Sequence, residues 1–422
     1  MSLALRFAKR YSLLTCVEQI IVDCRHALDN QSSYRGMQDV VKDGIENYIH
    51  SHSEILKHSP CDIRSTEQAG RAVFANRAIS SGRLVLTTSS PSSPVAYLIF
   101  RTYRREVCAQ CFAYDRGREW KIRDKDTYNA FCSEACHNAW QATCDDIALS
   151  AIVAVEKSIK TCRQQQSQPA DLPEEEVVDT QQKVDLAWRD ANSLVDLVKT
   201  AREARQPTKL QRAELRKARS LSPDGDILSY VLSGILYAHR NDEVLHSHHA
   251  TGSPHDLSAT VPGLYELEND STVFFTTPEV ASGLRDYTQA FVLLVAILPL
   301  EFIRYVTADF VSNLASRASH NAFSIRPAGT TDGGQSGEFL GWGVWPEASY
   351  FNHSCRPNLA KARSGRCWSF TTSRAVSVHE ELCISYLGGD EHDLNVAERR
   401  HKLYSTWGFW CNCSQCVVES GE

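Results

Sequence analysis

The sequence lacks a hydrophobic run long enough to cross a bilayer. Its longest apolar stretch covers only residues 290–300, and Pro299, Glu301 and Arg304 interrupt any extension. A transmembrane helix needs about 20 apolar residues, so we predict a buried helix here and no membrane partner. Residues 1–15 contain no acidic residue, but their apolar stretch is too broken for a secretory signal; a mitochondrial presequence is the alternative.

The chain also lacks an excess of positive charge. It has 45 Lys and Arg against 51 Asp and Glu, a formal net charge of -6. Domains that coat nucleic acid are usually strongly basic, so nucleic acid is not expected as the main partner. Hydrophobic residues make up 42% of the 422 residues, which is typical of a folded globular protein. This length suits two or three domains, or one enzyme with insertions.

The cysteines do not form the even, regularly spaced set of a disulfide framework. There are 15 of them, and 7 lie in tight groups one to three residues apart. Such spacing favours metal binding in a reducing compartment. We therefore expect the nucleus, the cytoplasm or both.

The first cysteine group contains two thiolate pairs, Cys108 with Cys111 and Cys132 with Cys136. Their spacing suits the tetrahedral four-thiolate site of a structural Zn²⁺. His137 and Cys144 lie nearby, but they lack a second pair that would complete another site. We predict one zinc ion in this group.

The second group, near the C-terminus, offers three thiolates from Cys411, Cys413 and Cys416. A closed tetrahedral site needs a fourth ligand from elsewhere, unless the site has an open catalytic position. Cys355 is the candidate fourth ligand. About two structural Zn²⁺ per chain are thus expected.

Hydrophobic periodicity indicates β-like segments separated by helical ones. Residues 1–60 are predicted as a helical prefix, and residues 73–75 and 84–86 as two short strands joined by a turn. Residues 145–225 are a charged helical insert, interpreted as two solvated helices with salt-bridged faces or, alternatively, a basic recognition surface for an acidic partner. Helical patterns continue over 227–320, and short β-like runs return after Asn321. The prediction is an α+β fold whose β-rich core is split by insertions.

Residues 350–358 (YFNHSCRPN) concentrate polar groups between apolar flanks. Pro357 prevents a continuing helix, so the segment is predicted as a tight, partly buried crossing of the chain. Polar groups in such a crossing need hydrogen-bond partners inside the protein.

Together these motifs resemble the SET-domain methyltransferases, and more closely the SET–MYND subfamily, in which a zinc finger interrupts the SET domain. The similar segments are residues 67–75, the Cys108–Cys136 finger, the Asn352-His353-Ser354-Cys355 motif, the Ile384-Ser385-Tyr386 motif and the cysteine tail. The resemblance implies a β-rich SET fold with a pseudoknot. It divides the chain into a split SET domain (61–387), a MYND-like finger (105–144), the charged insert (145–225), a helical insert (227–320) and a post-SET zinc tail (388–417).

The resemblance further implies an S-adenosylmethionine-dependent protein-lysine N-methyltransferase acting on a histone or non-histone protein or peptide. In this family cofactor and lysine approach from opposite sides, and no metal takes part in the chemistry. Tyr386 would orient the lysine amine as the catalytic residue. The cofactor-binding residues implied by position are Gly70, Arg71, Asn321, Asn352, His353, Tyr386 and Phe409.

Two positions depart from the family pattern. Ala72 replaces a second glycine, and Trp407 replaces a tyrosine two residues before Phe409. These departures favour an alternative, a non-catalytic SET-fold scaffold that acts through interactions. A zinc-finger DNA-binding protein is a third class, which the acidic balance disfavours. The substrate, the degree of methylation and the oligomeric state stay open.

Overall fold

A computed structural model of the chain describes residues 60–66, 70–88, 94–165, 177–248, 257, 261–276, 283–327, 338–388, 391 and 393–421. Nearly all of the helical prefix predicted for residues 1–60 lies outside these ranges, as do residues 67–69 of the opening motif. Among the described helices, none is long and apolar enough to cross a membrane.

Most strands lie before residue 132 or between residues 322 and 384, most helices lie between residues 134 and 321, and two further helices end the described chain. The strands are β1 (Cys61–Thr66), β2 (Gly70–Ala75), β3 (Leu84–Thr87), β4 (Ala96–Ile99), β5 (Ile122–Arg123), β6 (Ala130–Phe131), β7 (Ala322–Ile325), β8 (Gly341–Val344), β9 (Asn352–His353), β10 (Leu359–Ser364), β11 (Cys367–Thr372) and β12 (Cys383–Ile384). The α-helices are α1 (Glu134–Ala142), α2 (Asp146–Gln165), α3 (Gln181–Glu203), α4 (Lys209–Arg219), α5 (Gly225–His248), α6 (Pro262–Tyr265), α7 (Leu284–Ile297), α8 (Ala308–Asn321), α9 (Val396–Trp407) and α10 (Ser414–Ser420). The predicted α+β class, with several small sheets and a helical insertion, is confirmed.

The chain divides into two compact units. The first unit contains the described residues up to Thr88 and from Tyr350 onward. It holds an antiparallel β1–β2 pair, an antiparallel sheet in the order β10-β11-β3 and a parallel β9–β12 pair. The second unit contains the described residues from Pro94 to Pro327 and from Glu338 to Ser349. It holds the β4-β8-β7 sheet, the β5–β6 pair and the helices α1–α8.

The two strands predicted at 73–75 and 84–86 both form, and they do not pair with each other. In the first unit β2 pairs with β1, and β3 pairs with β11. The segment between β2 and β3 is held elsewhere, because Ile79 and Val376 exchange backbone hydrogen bonds of 2.9 Å in both directions. These bonds fix the linking segment to the C-terminal half and keep the two strands from closing into a hairpin.

In the second unit the apolar run that begins at Ala290 lies in α7, as predicted. Residues 290–296 of this helix are all buried. The helix ends at Ile297, two residues before Pro299, which cannot supply the N–H that a continuing helix needs. The unit therefore buries this run as a core helix.

The charged insert contains α2, α3 and α4 rather than two solvated helices. The apolar side of α3 is buried at Val184, Ala191, Val195, Val198 and Ala201. Arg202 donates to the carbonyls of Val295 and Leu298, and Arg219 donates to the carbonyl of Ala296. These carbonyls lie at the C-terminal end of α7, where arginine side chains satisfy unpaired acceptors. The alternative of a basic recognition surface stays a prediction.

A buried carboxylate links β4 to α2 in the second unit. Glu156 is 4% exposed and binds Arg101 through contacts of 3.0 and 3.2 Å and Arg104 through one of 2.6 Å. Burial works to raise the pKa of this carboxyl. Hydrogen bonds from Arg101 and the charge of Arg104 outweigh burial, so the pKa of Glu156 is lowered.

Candidate functional site

The predicted chain crossing is the parallel pair β9–β12 of the first unit. Asn352 lies opposite Cys383 and His353 opposite Ile384, and the Ser354 N–H donates to the Ile384 carbonyl at 2.9 Å. The side-chain amide of Asn352 donates to Glu381 Oε1 at 3.0 Å. The crossing therefore holds Asn352 and His353 side by side in fixed orientations.

Asn358 secures this crossing and was not among the predicted site residues. Its side chain is 3% exposed; it donates to the Glu381 carbonyl at 2.8 Å and accepts from the Cys383 N–H at 2.8 Å. A buried amide of this kind must be fully hydrogen-bonded. Its place in the Pro357-Asn358 pair at the end of the polar motif was the signal that could have identified it.

Tyr386 is held at three points next to the crossing. Its hydroxyl donates to the Phe351 carbonyl at 2.9 Å, and its backbone N–H donates to His353 Nδ1 at 2.9 Å. Its ring lies with its centroid 5.4 Å from that of Trp407 and 6.1 Å from that of Phe409. The structure thus brings Asn352, His353, Tyr386 and Phe409 into one aromatic and polar cluster.

Gly70 and Arg71 lie in β2 of the same unit. Gly70 has φ 62, and no heavy atom of the described residues lies within 4 Å of the position a Cβ would take. The Arg71 guanidinium lies 5.3 Å from the centroid of the Tyr350 ring, immediately before the crossing. The side chain of Ala72 is fully buried in the first unit.

Asn321 belongs to the second unit, where it is the last residue of α8. Its side-chain amide donates to the carbonyls of Arg317, at 2.8 Å, and Glu268, at 3.1 Å. Both amide hydrogens are therefore engaged within that unit. The side-chain oxygen is the group that Asn321 could offer to a ligand.

The finger cluster comprises Cys108, Cys111, Cys132 and Cys136 of the second unit. The four sulfurs all lie within 4.8 Å of one another, with 3.6 Å between Cys111 and Cys132 and 3.5 Å between Cys132 and Cys136. The hydroxyl of Ser133, the N-cap of α1, accepts from the Cys136 N–H, so the cap of this helix fixes the backbone of the fourth cysteine, which lies in its first turn. Among the described residues, neither His137 nor Cys144 joins a group with metal-ligand geometry.

The tail cluster comprises Cys355, Cys411, Cys413 and Cys416 of the first unit. Its four sulfurs also lie within 4.8 Å of one another, with 3.9 Å from Cys355 to Cys411 and 3.5 Å from Cys355 to Cys416. A tetrahedron with Zn–S bonds of about 2.3 Å places its sulfurs about 3.8 Å apart. Both clusters thus match the donor set and the spacing of a four-thiolate metal site.

Local structure explains how the tail reaches Cys355. Helix α9 begins with a capping box between Asn395 and Glu398 and ends at Trp407, and the following Gly408, with a φ of 73, reverses the chain. The reversal brings Cys411 and Cys416 into a core with the fully buried Leu387 and Leu403, against which Phe409 packs. Folding of the tail therefore places Phe409 and the thiols together.

The protonation of the tail cluster favours a cation at its centre. A hydrogen bond with Cys411, with burial added, raises the pKa of the Cys355 thiol, whereas the hydrogen bond from Cys355 lowers the pKa of Cys413. Thiolates about 4 Å apart repel one another, so each ionised sulfur opposes the ionisation of its neighbours. A divalent cation would let all four ionise.

Arg399 on α9 contacts this cluster and was also missed by the sequence prediction. Its side chain is 4% exposed. The guanidinium lies 3.8 Å from Cys416 Sγ, binds Glu419 at 2.6 Å and donates to the Leu394 carbonyl at 2.6 Å. No spacing rule links an arginine in a helix to a cysteine in the tail, so the sequence contained no signal for it.

Comparisons with known proteins agree with these features. The SET domain family model matches residues 4–387. "Potential protein lysine methyltransferase SET6" of Saccharomyces cerevisiae is 26% identical over 410 residues, covering 89% of this chain and 98% of that protein. "Histone-lysine N-methyltransferase SET5" of Yarrowia lipolytica is 40% identical over 76 residues, 18% of this chain and 17% of that protein. "Protein-lysine N-methyltransferase SMYD4" of Mus musculus is 33% identical over 81 residues, 19% of this chain and 10% of that protein.

Proposed function

This chain belongs to the SET domain family, and on that premise we propose that it is a methyltransferase that modifies lysine side chains of proteins with S-adenosylmethionine. The similarity to "Potential protein lysine methyltransferase SET6", which extends over almost all of both chains, supports this reaction. The observation that carries the proposal is the fixed hydroxyl of Tyr386 beside Asn352 and His353.

The groups of the first unit fit the chemistry of S-adenosylmethionine. Arg71 offers a cation for its carboxylate, Gly70 a stretch of backbone with no side chain, and Asn352 an amide. Phe409 offers an aromatic ring for the adenine. Asn321 of the second unit is proposed as a further cofactor-binding residue on the family resemblance alone. When bound, the cofactor supplies a methyl group activated by a positively charged sulfonium.

Tyr386 is proposed to orient the lysine amine. Its hydroxyl donates its hydrogen to the Phe351 carbonyl, and the same oxygen is proposed to accept an N–H from the amine. The amine must first lose its proton, because an ammonium has no lone pair. The rings of Trp407 and Phe409 beside Tyr386 exclude water and so lower the pKa of the bound lysine. Holding the amine in one orientation also lowers the entropic part of the barrier.

Both cysteine clusters are proposed to hold structural Zn²⁺, giving about two ions per chain. Four thiolates close the coordination shell, so no position stays open for catalysis. The tail ion would hold Phe409 against Tyr386 and so couple metal binding to activity. Reduced thiol clusters of this kind suit the nucleus or the cytoplasm.

A non-catalytic scaffold is the second candidate function. The observation that favours it is the indole of Trp407, which packs 5.4 Å from the ring of Tyr386 where the family pattern has a second tyrosine. An indole offers no hydroxyl to the amine. A scaffold would keep the fold and both metal ions but would transfer no methyl group.

The test combines calorimetry with S-adenosylmethionine and transfer of a labelled methyl group to lysine-containing proteins. Asn352→Ala should weaken cofactor binding. Tyr386→Phe should lower kcat by about 100-fold, the typical cost of one preorganised polar group, while leaving cofactor affinity nearly unchanged. Tyr404→Phe is the matched control, because Tyr404 is 58% exposed. A purified protein that neither binds the cofactor nor methylates protein would refute the proposal, and cofactor binding without transfer would favour the scaffold.

A further inference from the structure

We propose that the ring of His353 is a positioning element that connects the tail cluster to Tyr386. In this arrangement the imidazole is neutral: Nδ1 accepts from the Tyr386 N–H, and Nε2 donates its hydrogen to the sulfur of Cys355. The inference deepens the proposed function and rests on it, because it assigns a role to the tail metal ion and to Tyr386.

The state of the ring follows from its first partner. The backbone N–H of Tyr386 lies 2.9 Å from His353 Nδ1, and a backbone N–H can only donate. Nδ1 must therefore present a lone pair. An imidazolium has hydrogens on both nitrogens, so a charged ring would direct N–H against N–H. The ring is neutral, with its hydrogen on Nε2.

The second partner of the ring is a proposed metal ligand. His353 Nε2 lies 3.3 Å from Cys355 Sγ, a distance suited to an N–H···S hydrogen bond. Four thiolates around one Zn²⁺ would have a formal charge of -2, so donors directed at the sulfurs stabilise the site. Arg399, 3.8 Å from Cys416 Sγ, supplies a second donor on another ligand. Outer partners of this kind orient metal ligands and adjust their basicity.

Rigid structure surrounds this connection. His353 lies in β9, paired with Ile384 of β12, and Tyr386 follows two residues after Ile384. A displacement of Cys355 would therefore move the ring and the backbone of Tyr386 together. The resemblance predicts that His353 holds the cofactor. Because both ring nitrogens already have partners, the ring is better suited to hold Tyr386.

Two substitutions test the two hydrogen bonds of the ring one at a time. In His353→Asn the side-chain oxygen takes the place of Nδ1 and can still accept from Tyr386, but nothing reaches Cys355. In His353→Gln the terminal amide reaches the position of Nε2 and can still donate to Cys355, but the acceptor for Tyr386 is lost. His401→Asn is the control, because His401 is exposed on α9.

The main measurement is the rate at which N-ethylmaleimide alkylates each cysteine of the zinc-loaded protein, read peptide by peptide by mass spectrometry. His353→Asn should speed alkylation of Cys411, Cys413 and Cys416 by about 10- to 100-fold, because losing an outer partner usually lowers metal affinity by such a factor and alkylation follows release of the metal. His353→Gln and His401→Asn should leave these rates within about threefold of wild type. The finger cluster should be unchanged in every variant and is an internal control.

Two further measurements complete the test. Histidine ¹⁵N NMR, with the His353 signal assigned from the variants, should show hydrogen on Nε2 and none on Nδ1. Both His353 variants should lower kcat more than they change the KM for S-adenosylmethionine. Equal alkylation of the tail in His353→Asn and wild type, or hydrogen on Nδ1, would overturn the inference. A wild type that shows the expected NMR and alkylation pattern yet transfers no methyl group would support the connection and refute only the proposed activity.

Discussion

Replacing Glu156 with glutamine should destabilise the second unit by about 3–5 kcal/mol, the usual cost of removing one partner of a buried ion pair. Glu156 is 4% exposed, and the side chains of Arg101 and Arg104 are 15% and 18% exposed. Three contacts of 2.6–3.2 Å would lose their anionic acceptor. Glutamine keeps the shape but leaves two cations facing each other in a poorly solvated site.

The assay is urea unfolding combined with hydrogen exchange, because exchange in α2 and β4 reports this unit directly. Glu203→Gln removes the same charge from an exposed position of α3 and should change stability by less than about 0.5 kcal/mol. If Glu156→Gln and Glu203→Gln were equally stable, the ion pair would not be stabilising, and the reasoning from burial would be refuted.

Acid provides a second check on the same carboxylate. The pKa of Glu156 is lowered in the folded protein. Its carboxylate therefore contributes fully to the stability of the fold above the pKa of a glutamate in the unfolded chain, about 4.3. The contribution is lost as pH falls through the folded pKa. The stability difference between wild type and Glu156→Gln should therefore be constant near neutral pH and shrink below about pH 4. A difference that grew in acid would contradict the assigned sign.

Three further predictions concern packing and metal binding. Gly341→Ala should lower the free energy of unfolding by about 3 kcal/mol, because a Cβ there would lie 2.0 Å from the Leu98 carbonyl oxygen. A Cβ at the control Gly388→Ala meets no heavy atom of the described residues within 4 Å, and equal denaturation midpoints of the two variants would contradict this. Leu403→Ala, at a fully buried position beside the tail cluster, should cost about 2–5 kcal/mol and speed alkylation of the tail cysteines, and unaltered protection would argue against a shared core. Acidification should release about two Zn²⁺ per chain to a chromogenic chelator because protons compete for thiolates, whereas protein without zinc at neutral pH would refute both metal sites.

Local patterns in the sequence predicted a large part of this structure. The spacing of Cys108, Cys111, Cys132 and Cys136 indicated a four-cysteine group because ligands on tight turns are encoded within a few residues. The apolar run at Ala290 predicted a buried helix because this pattern too is contained in a few consecutive residues. The proximity of Cys355 to the three tail cysteines was predicted because a four-thiolate site needs a fourth ligand. The roles of Gly70 and Asn321 in cofactor binding stay predictions.

Features that depend on distant contacts escaped prediction. Strand β3 pairs with β11, which is far along the chain, so the turn before β3 does not identify its partner. The contact between Arg399 and Cys416 and the hydrogen bonds of Asn358 arise only after the chain crossing forms. Arg202 and Arg219 appeared as surface charges, although they satisfy carbonyls at the end of a buried helix. Side-chain type and spacing alone do not reveal such tertiary partners.

The position of the tail cluster along the chain determines when, during synthesis and folding, the cluster can form. Cys355 and Cys416 are 61 positions apart, and the intervening segment contains β10, β11, β12 and α9. Joining such distant points restricts the unfolded chain by about 4 kcal/mol if the metal acts like a cross-link. The link cannot close until ribosomal synthesis has passed Cys416. During synthesis, Asn352, His353 and Tyr386 would therefore be made before the cysteines of the tail that hold them in place. The time at which the site reaches its final structure would then depend on the supply of metal.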